Sequence, residues 1–117
     1  MSETFELVSA PAPAGVTLLR ARGYLYAQHV PLLVARCNEV RAAGLHLVLN
    51  LSGVTVIASS GIGALLALME EFRQTSQTLR VAAVSPAVGS VIRLLNLDQF
   101  LNLDESEDSA LAALKAA

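Results

Sequence analysis

The chain has 117 residues, 54% of them hydrophobic and only 15% charged, with a formal net charge of −2. That balance suits one compact domain over residues 1–117 and excludes an intrinsically disordered chain. The weak charge, the lack of Trp and the scattered aromatics Phe5, Tyr24, Tyr26, Phe72 and Phe100 argue against a nucleic-acid surface or a polybasic membrane patch.

Met1 to Glu6 has no basic segment of the kind that opens a secretory signal, and these first few residues are the one candidate tail. Phe5 to Val8 predicts a short strand. Ala10 to Gly15, with Pro11 and Pro13, predicts a loop. Val16 to Arg22 alternates as a second strand that Gly23 ends, so the two runs predict a hairpin at one sheet edge. Val30 to Ala43 predicts a helix with Pro31 in its first turn, Leu33, Cys37 and Val40 on its buried face, and Gly44 as its cap.

Leu45 to Leu51 is apolar at nearly every position, as in a strand covered on both faces, and Ser52 to Ile57 reads as a short link. From about Ser60 to Gln77, Ile62, Leu65, Leu66, Met69 and Phe72 recur at helical spacing. Leu79 to Val84 predicts another buried strand. Ser85-Pro86 opens a third helix with Val88, Val91, Ile92 and Leu95 on its apolar face. Leu97 to Leu103 carries a short strand near Phe100, and Glu105 to Lys115 is a last amphipathic helix. The order β-β-α-β-α-β-α-β-α predicts an α/β fold with a mixed, mostly parallel sheet.

Two chain-wide features bear on location. Ala42 to Met69 contains no Asp, Glu, Lys or Arg, but His46, Asn50, Ser52-Gly53, Thr55 and Ser59-Ser60-Gly61 break it, so no membrane insertion is expected. Cys37 is the single cysteine, which rules out an internal disulfide and fits a reducing cytoplasm.

The chemistry-bearing patterns are few. His29 and His46 have no ligand spacing around them, so no metal is expected. No Gly-rich phosphate loop followed by Lys occurs, and Gly61-Ile62-Gly63 is too short for a dinucleotide fingerprint, so no cofactor is expected. Ser59 and Ser60 lack the flanking Gly-x-Ser-x-Gly and a downstream His, and Glu70 and Glu71 point apart on a helix. An enzyme is therefore not expected.

What remains is Ala58-Ser59-Ser60-Gly61-Ile62-Gly63, where a strand region hands over to a helix. A helix start offers unpaired N–H groups and the positive end of the dipole. Taken locally, a Ser there predicts an N-cap. Gly61 and Gly63 do not help a helix, each costing about 1 kcal/mol relative to Ala in its interior. Small residues at 58, 59, 60, 61, 63 and 64 leave a flat surface on which a docking protein can reach a serine.

Gly23-Tyr24-Leu25-Tyr26-Ala27, Leu47-Val48-Leu49-Asn50-Leu51-Ser52, Ala58 to Leu66, Val84-Ser85-Pro86-Ala87-Val88 and Leu94 to Phe100 follow in an order and spacing that resemble the STAS domain family. Within it the chain resembles the bacterial anti-sigma factor antagonists, over about Val16 to Leu114. The resemblance implies a STAS-like sheet with about four helices, mainly on one side. It implies a non-enzymatic domain that binds an anti-sigma factor with a histidine-kinase-like ATPase domain. That partner phosphorylates a serine at the start of the second helix, and a phosphatase reverses the step. Ser59 aligns with the acceptor, and Ala58, Ser60, Gly61, Ile62, Gly63, Tyr26 and Asn50 fall at partner-binding positions. The family usually has Asp at the positions of Ala58, Asn50 and Tyr26, so three acidic positions around one site are expected to be neutral here. A STAS adaptor or scaffold without a phosphoswitch, in a signalling assembly or a lipid-transport ATPase system, is the alternative. A monomer or a weak dimer is expected.

Overall fold

The computed structural model describes residues 4–116. Five strands form one sheet in the order β1-β2-β3-β4-β5. They are β1 (Phe5–Ala10), β2 (Val16–Leu25), β3 (His46–Ile57), β4 (Leu79–Ala82) and β5 (Leu103–Asp104). The β1–β2 pair is antiparallel, a hairpin at the sheet edge as the two runs predicted. The β2–β3, β3–β4 and β4–β5 pairs are parallel. Four helices complete this α/β domain: α1 (Val30–Ala42), α2 (Ser59–Gln74), α3 (Pro86–Leu94) and α4 (Glu107–Ala116).

The alternation of side chains along β3 sorts the layers. Leu47, Leu49 and Leu51 face a large core that holds Leu33 and Cys37 of α1, Leu65, Leu68 and Phe72 of α2, and Val88 and Ile92 of α3. Val48 points the other way, into a smaller cluster with Leu18, Ala82 and Ala110 of α4. Three helices thus cover one face and α4 covers the other. This is why β3 is apolar on both faces.

Several ends shift by two or three residues, α2 stopping at Gln74 and β4 at Ala82, and three differences matter more. Gly23 does not end β2. It sits in an irregular stretch of the β2–β3 register, with φ +106°, and the strand runs on to Leu25. A Cβ at Gly23 would lie 2.0 Å from the Thr4 carbonyl oxygen, so only glycine fits where β1 crosses it. Ser52 to Ile57 is not a link. Gly53, Val54, Val56 and Ile57 pair with Arg22, Gly23, Tyr24 and Leu25, so β2 and β3 project together beyond the last β4 pairing at Asn50. The last strand is Leu103–Asp104 rather than a run near Phe100. Leu97, Phe100 and Leu101 have the spacing of a helical turn, and the amides of Phe100 and Leu101 both donate to Leu97 O.

Candidate functional site

The projecting ends of β2 and β3 build the platform. Leu25 pairs with Ile57, and the Ala58 amide donates to Leu25 O at 2.9 Å. Ala58 stays extended (φ −84°, ψ 164°) and is the N-cap of α2. Its carbonyl accepts from the amides of Gly61 (2.9 Å) and Ile62 (3.1 Å). No acceptor among the described residues bonds the amides of Ser59 and Ser60. They remain part of the unsatisfied first turn that every helix has.

The serines do not cap. Alanine occupies the cap position, and neither serine side chain has a hydrogen-bond partner among the described residues. Both residues are exposed. Ser85, at the start of α3, is the contrast within the same molecule. It is buried, donates to Val54 O at 2.5 Å and accepts from the Val88 amide at 3.2 Å. One helix-start serine is consumed by the fold, while Ser59 and Ser60 present their hydroxyls to solvent.

The two glycines behind them differ in kind. Gly61 is buried, and a Cβ there would meet Ile57 Cγ1 at 2.9 Å and Leu25 Cγ at 3.0 Å. It lets α2 start close against the strand ends. Gly63 is exposed, with nothing within 4 Å of an added Cβ. Ile62 is 4% exposed and belongs to the large core. Ser59, Ser60 and Gly63 therefore form the accessible surface, and Gly61 and Ile62 support it from beneath.

Tyr26 directly follows Leu25, as Ala58 follows Ile57, so the two leave the paired ends of β2 and β3 at the same level. The Tyr26 ring stacks on His29 at 6.1 Å and tilts against Tyr24 at 5.7 Å. His29 in turn stacks on Phe5 at 5.8 Å. This row of rings beside the helix start was missed in the sequence reading. Tyr24 and Tyr26, two apart where β2 ends at Leu25, were the available signal; the joining of His29 and Phe5 depends on the tertiary fold.

Asn50 lies elsewhere. It stands seven strand positions before Ile57, on the order of 20 Å from α2's start at the usual strand rise. Its side chain is on the α4 face, where Nδ2 donates to Glu107 Oε2 at 2.6 Å and Oδ1 accepts from the Ser52 amide at 2.8 Å. Arg20, its register partner on β2, holds Glu107 through two bonds at 2.8 and 2.9 Å. The Arg20 guanidinium lowers the Glu107 carboxyl to about 2, against burial and with help from Asn50. The expected trio of neutralised positions is thus a pair, Ala58 and Tyr26. Asn50 belongs to a separate cluster beneath α4.

No group of three or more His, Cys, Asp or Glu among the described residues is placed to hold a metal ion. Among those residues no helix is long and apolar enough to cross a membrane.

The architecture is shared with solved structures. An anti-sigma factor antagonist from Mycobacterium paratuberculosis superposes with a TM-score of 0.84 at 26% identity, covering 96% of this chain and 95% of that one. The Bacillus anti-sigma factor antagonist SpoIIAA, in its unphosphorylated form, gives 0.77 at 18% identity over 96% and 98% of the two chains. The murine anion transporter Solute Carrier 26 family member A9 gives 0.76 at 17% identity, where the match spans 99% of this chain but only 23% of the transporter. The latter two likenesses speak to fold alone. The STAS domain model matches residues 8–110, and the chain belongs to the STAS domain family.

Proposed function

We propose that this chain is an anti-sigma factor antagonist that works by partner switching, with Ser59 as its phosphoacceptor. The observation that carries the reading is the solvent-facing, uncapped Ser59 hydroxyl at the first position of α2. The 26% identity to an anti-sigma factor antagonist over nearly the whole chain supports it. In this reading the domain is not an enzyme. It docks on an anti-sigma factor with a histidine-kinase-like ATPase domain through the flat surface of Ser59, Ser60 and Gly63, with Ala58 and Tyr26 at its edge. Phosphoryl transfer relies on positioning and on the kinase's own metal and base, so the loss of nearby acids does not remove the chemistry. A phosphate on Ser59 adds about two negative charges to a closely packed contact and breaks it by repulsion and desolvation. A phosphatase restores the binding form.

The test is incubation with ATP and a histidine-kinase-like anti-sigma factor encoded in the same genome, read by intact mass. Wild-type chain gains one phosphoryl group and Ser59→Ala gains none. Labelling that persists in Ser59→Ala moves the acceptor elsewhere, and an unlabelled wild type removes the switch.

Ala58 and Tyr26 favour a second reading, a STAS adaptor without a phosphoswitch, because both stand where the family usually carries Asp. A pull-down that returns transporter or signalling-scaffold subunits and no kinase-like ATPase would support it.

A further inference from the structure

We propose that the end of the sheet bearing Ser59 recognises its partner without charge, and that a phosphate on Ser59 breaks the contact by desolvation alone. The inference rests on the partner-switching reading above and names the chemistry of the anti-sigma factor's docking face, which is uncharged. The parallel strands β2, β3 and β4 all hand the chain to a helix at this end. Each of the three handovers is free of formal charge. Gly23 to Ala35, Gly53 to Met69 and Val81 to Ile92 hold no Asp, Glu, Lys or Arg. His29, within the first, accepts from the Tyr26 amide through Nδ1 at 3.4 Å, as only an uncharged ring can. The helices carry their charges in later turns. Arg36 of α1, Glu70 of α2 and Arg93 of α3 come first, and Glu70 lies about 16 Å along α2 from Ser59. The Arg93 side chain reaches back as far as Gly89, where an added Cβ would meet its Nη1 at 3.2 Å, a full turn short of the Ser85 cap. The acids of the fourth handover, Asp104 and Glu107, stand back at the level of Asn50, because Ala82 pairs with both Asn50 and Asp104. They are bonded to Arg80 and Arg20. On β2 the last charge is Arg22, which pairs with Gly53 and bonds Glu6 at 3.2 Å.

What this end offers instead is neutral. Ser59, Ser60 and Gly63 are exposed on α2. Just before the helix, Val56 (37% exposed) pairs with Tyr24, whose ring leans on that of Tyr26. A partner that laid a Lys, Arg, Asp or Glu on this surface would bury it with nothing to pair, at the full cost of removing its water. The face that fits carries aliphatic or aromatic side chains for Val56 and the rings, and neutral hydrogen-bonding groups for the two hydroxyls. The same lack of charge sets how the switch acts. A phosphate on Ser59 brings about two negative charges, and the first turns of α1, α2 and α3 hold no cation to meet them. Against an uncharged partner the phosphate acts by losing its water, which salt does not screen. Repulsion by acids on the partner would instead fade as salt rises.

Calorimetric titration of the full chain against the same histidine-kinase-like anti-sigma factor, from about 50 mM to about 500 mM NaCl, tests this across strong and weak screening. The Kd of the unmodified chain should change by less than about threefold over that range, and a larger rise overturns the inference. Gly63→Asp and Gly63→Lys should each raise Kd about tenfold or more, because either sign is buried unpaired. Nothing lies within 4 Å of an added Cβ at Gly63, so both variants should fold, and their thermal midpoints check it. Tightening by one sign marks a charged partner face, and any pattern other than loss with both signs overturns the inference. Phosphoserine encoded at position 59 should weaken binding equally at every salt concentration; recovery at high salt overturns desolvation as the cause. These failures leave partner switching intact. An unmodified chain that binds the factor at no salt concentration, or a phosphoserine without effect, overturns partner switching itself, and this inference falls with it.

Discussion

Asn50 Nδ2 donates to Glu107 Oε2 across 2.6 Å, tying the middle of β3 to the first turn of α4. An amide fits there because it gives a donor to a carboxylate and, through Oδ1, an acceptor to the Ser52 amide. An aspartate here would keep the acceptor and lose the donor. It would set a second carboxylate against Glu107 in a position that is only 8% exposed. The amide at this position is therefore matched to Glu107, not to Ser59.

The pH dependence follows from that match. Glu107 has its carboxyl lowered from 4.5 to about 2, with the Arg20 bond the largest cause. A lowered carboxyl gives stability that is complete above its unfolded value and is lost as pH falls through its folded value. The wild type should therefore weaken between about pH 4.5 and pH 2, and Glu107→Gln should lose that part of the dependence. Asn50→Asp should cost about 1–3 kcal/mol at pH 7, the range for a buried polar group left badly paired. A proton shared between the two facing carboxylates would restore the missing bond, so the deficit should shrink on acidification. Urea unfolding at pH 7 and pH 4 checks this; a deficit unchanged between the two would sink the account.

The cap of α2 gives a prediction of opposite sign. Ala58 has the extended backbone of an N-cap and no side-chain acceptor to offer. Aspartate is among the best caps and also complements the helix dipole. Ala58→Asp should therefore stabilise the domain by about 1 kcal/mol, a rise of about 4 °C in Tm for a domain of this size. Thermal unfolding by circular dichroism measures it, and a neutral or destabilised variant would show that the cap geometry is not as described.

Cys37 supplies a check on the core. It is fully buried on α1, and burial pushes its thiol up to about 12. The reactive form is the thiolate, so both access and ionisation protect it. A colorimetric thiol reagent at pH 8 should leave the native chain unmodified and titrate one thiol per chain in denaturant. Stoichiometric reaction within minutes under native conditions would contradict the packing of α1.

How far the sequence could be read depended on whether a signal was local. The helices were legible because Leu33, Cys37 and Val40, or Ile62, Leu65 and Phe72, recur at a period that packing against a sheet enforces; Leu66 and Met69, read as part of the same stripe, are only partly buried, and Leu68, not read, is fully buried. The length of β3 was not, because Ser52-Gly53 looks like a turn until Arg22 and Gly23 of β2 are set beside it. Gly23 misled for a related reason: its left-handed backbone is used inside a strand, under the approach of Thr4. At the site, the strand-to-helix handover was legible, but the roles within it were not. Serine at a helix start reads as a cap, and only the backbone places Ala58 in that position. Asn50 was grouped with Ala58 and Tyr26 by resemblance, and it is separated from them by distance along β3 and by its bond to Glu107 of α4, neither of which a motif shows.

The two glycines of the first turns of α2 make the sharpest pair of tests, since one substitution should act in opposite directions. At Gly61 an added methyl lies 2.9 Å from Ile57 Cγ1 and 3.0 Å from Leu25 Cγ. Leu25 is fully buried, and its carbonyl holds the Ala58 amide, so it has little room to retreat. Overpacking of this kind costs about 1–3 kcal/mol, against a helix-propensity gain of at most about 1 kcal/mol. Gly61→Ala should therefore lower Tm. At Gly63 nothing lies within 4 Å of the new methyl, so the propensity gain stands alone and Gly63→Ala should raise Tm. The surface changes the other way. Gly63 is exposed beside Ser59 and Ser60, and a methyl there roughens the face proposed to meet the anti-sigma factor. The Gly63→Ala variant should be more stable yet bind that partner less tightly, measured by calorimetric titration against the isolated anti-sigma factor. Unchanged affinity in the stabilised variant would take the α2 face out of the interface, whatever the state of Ser59.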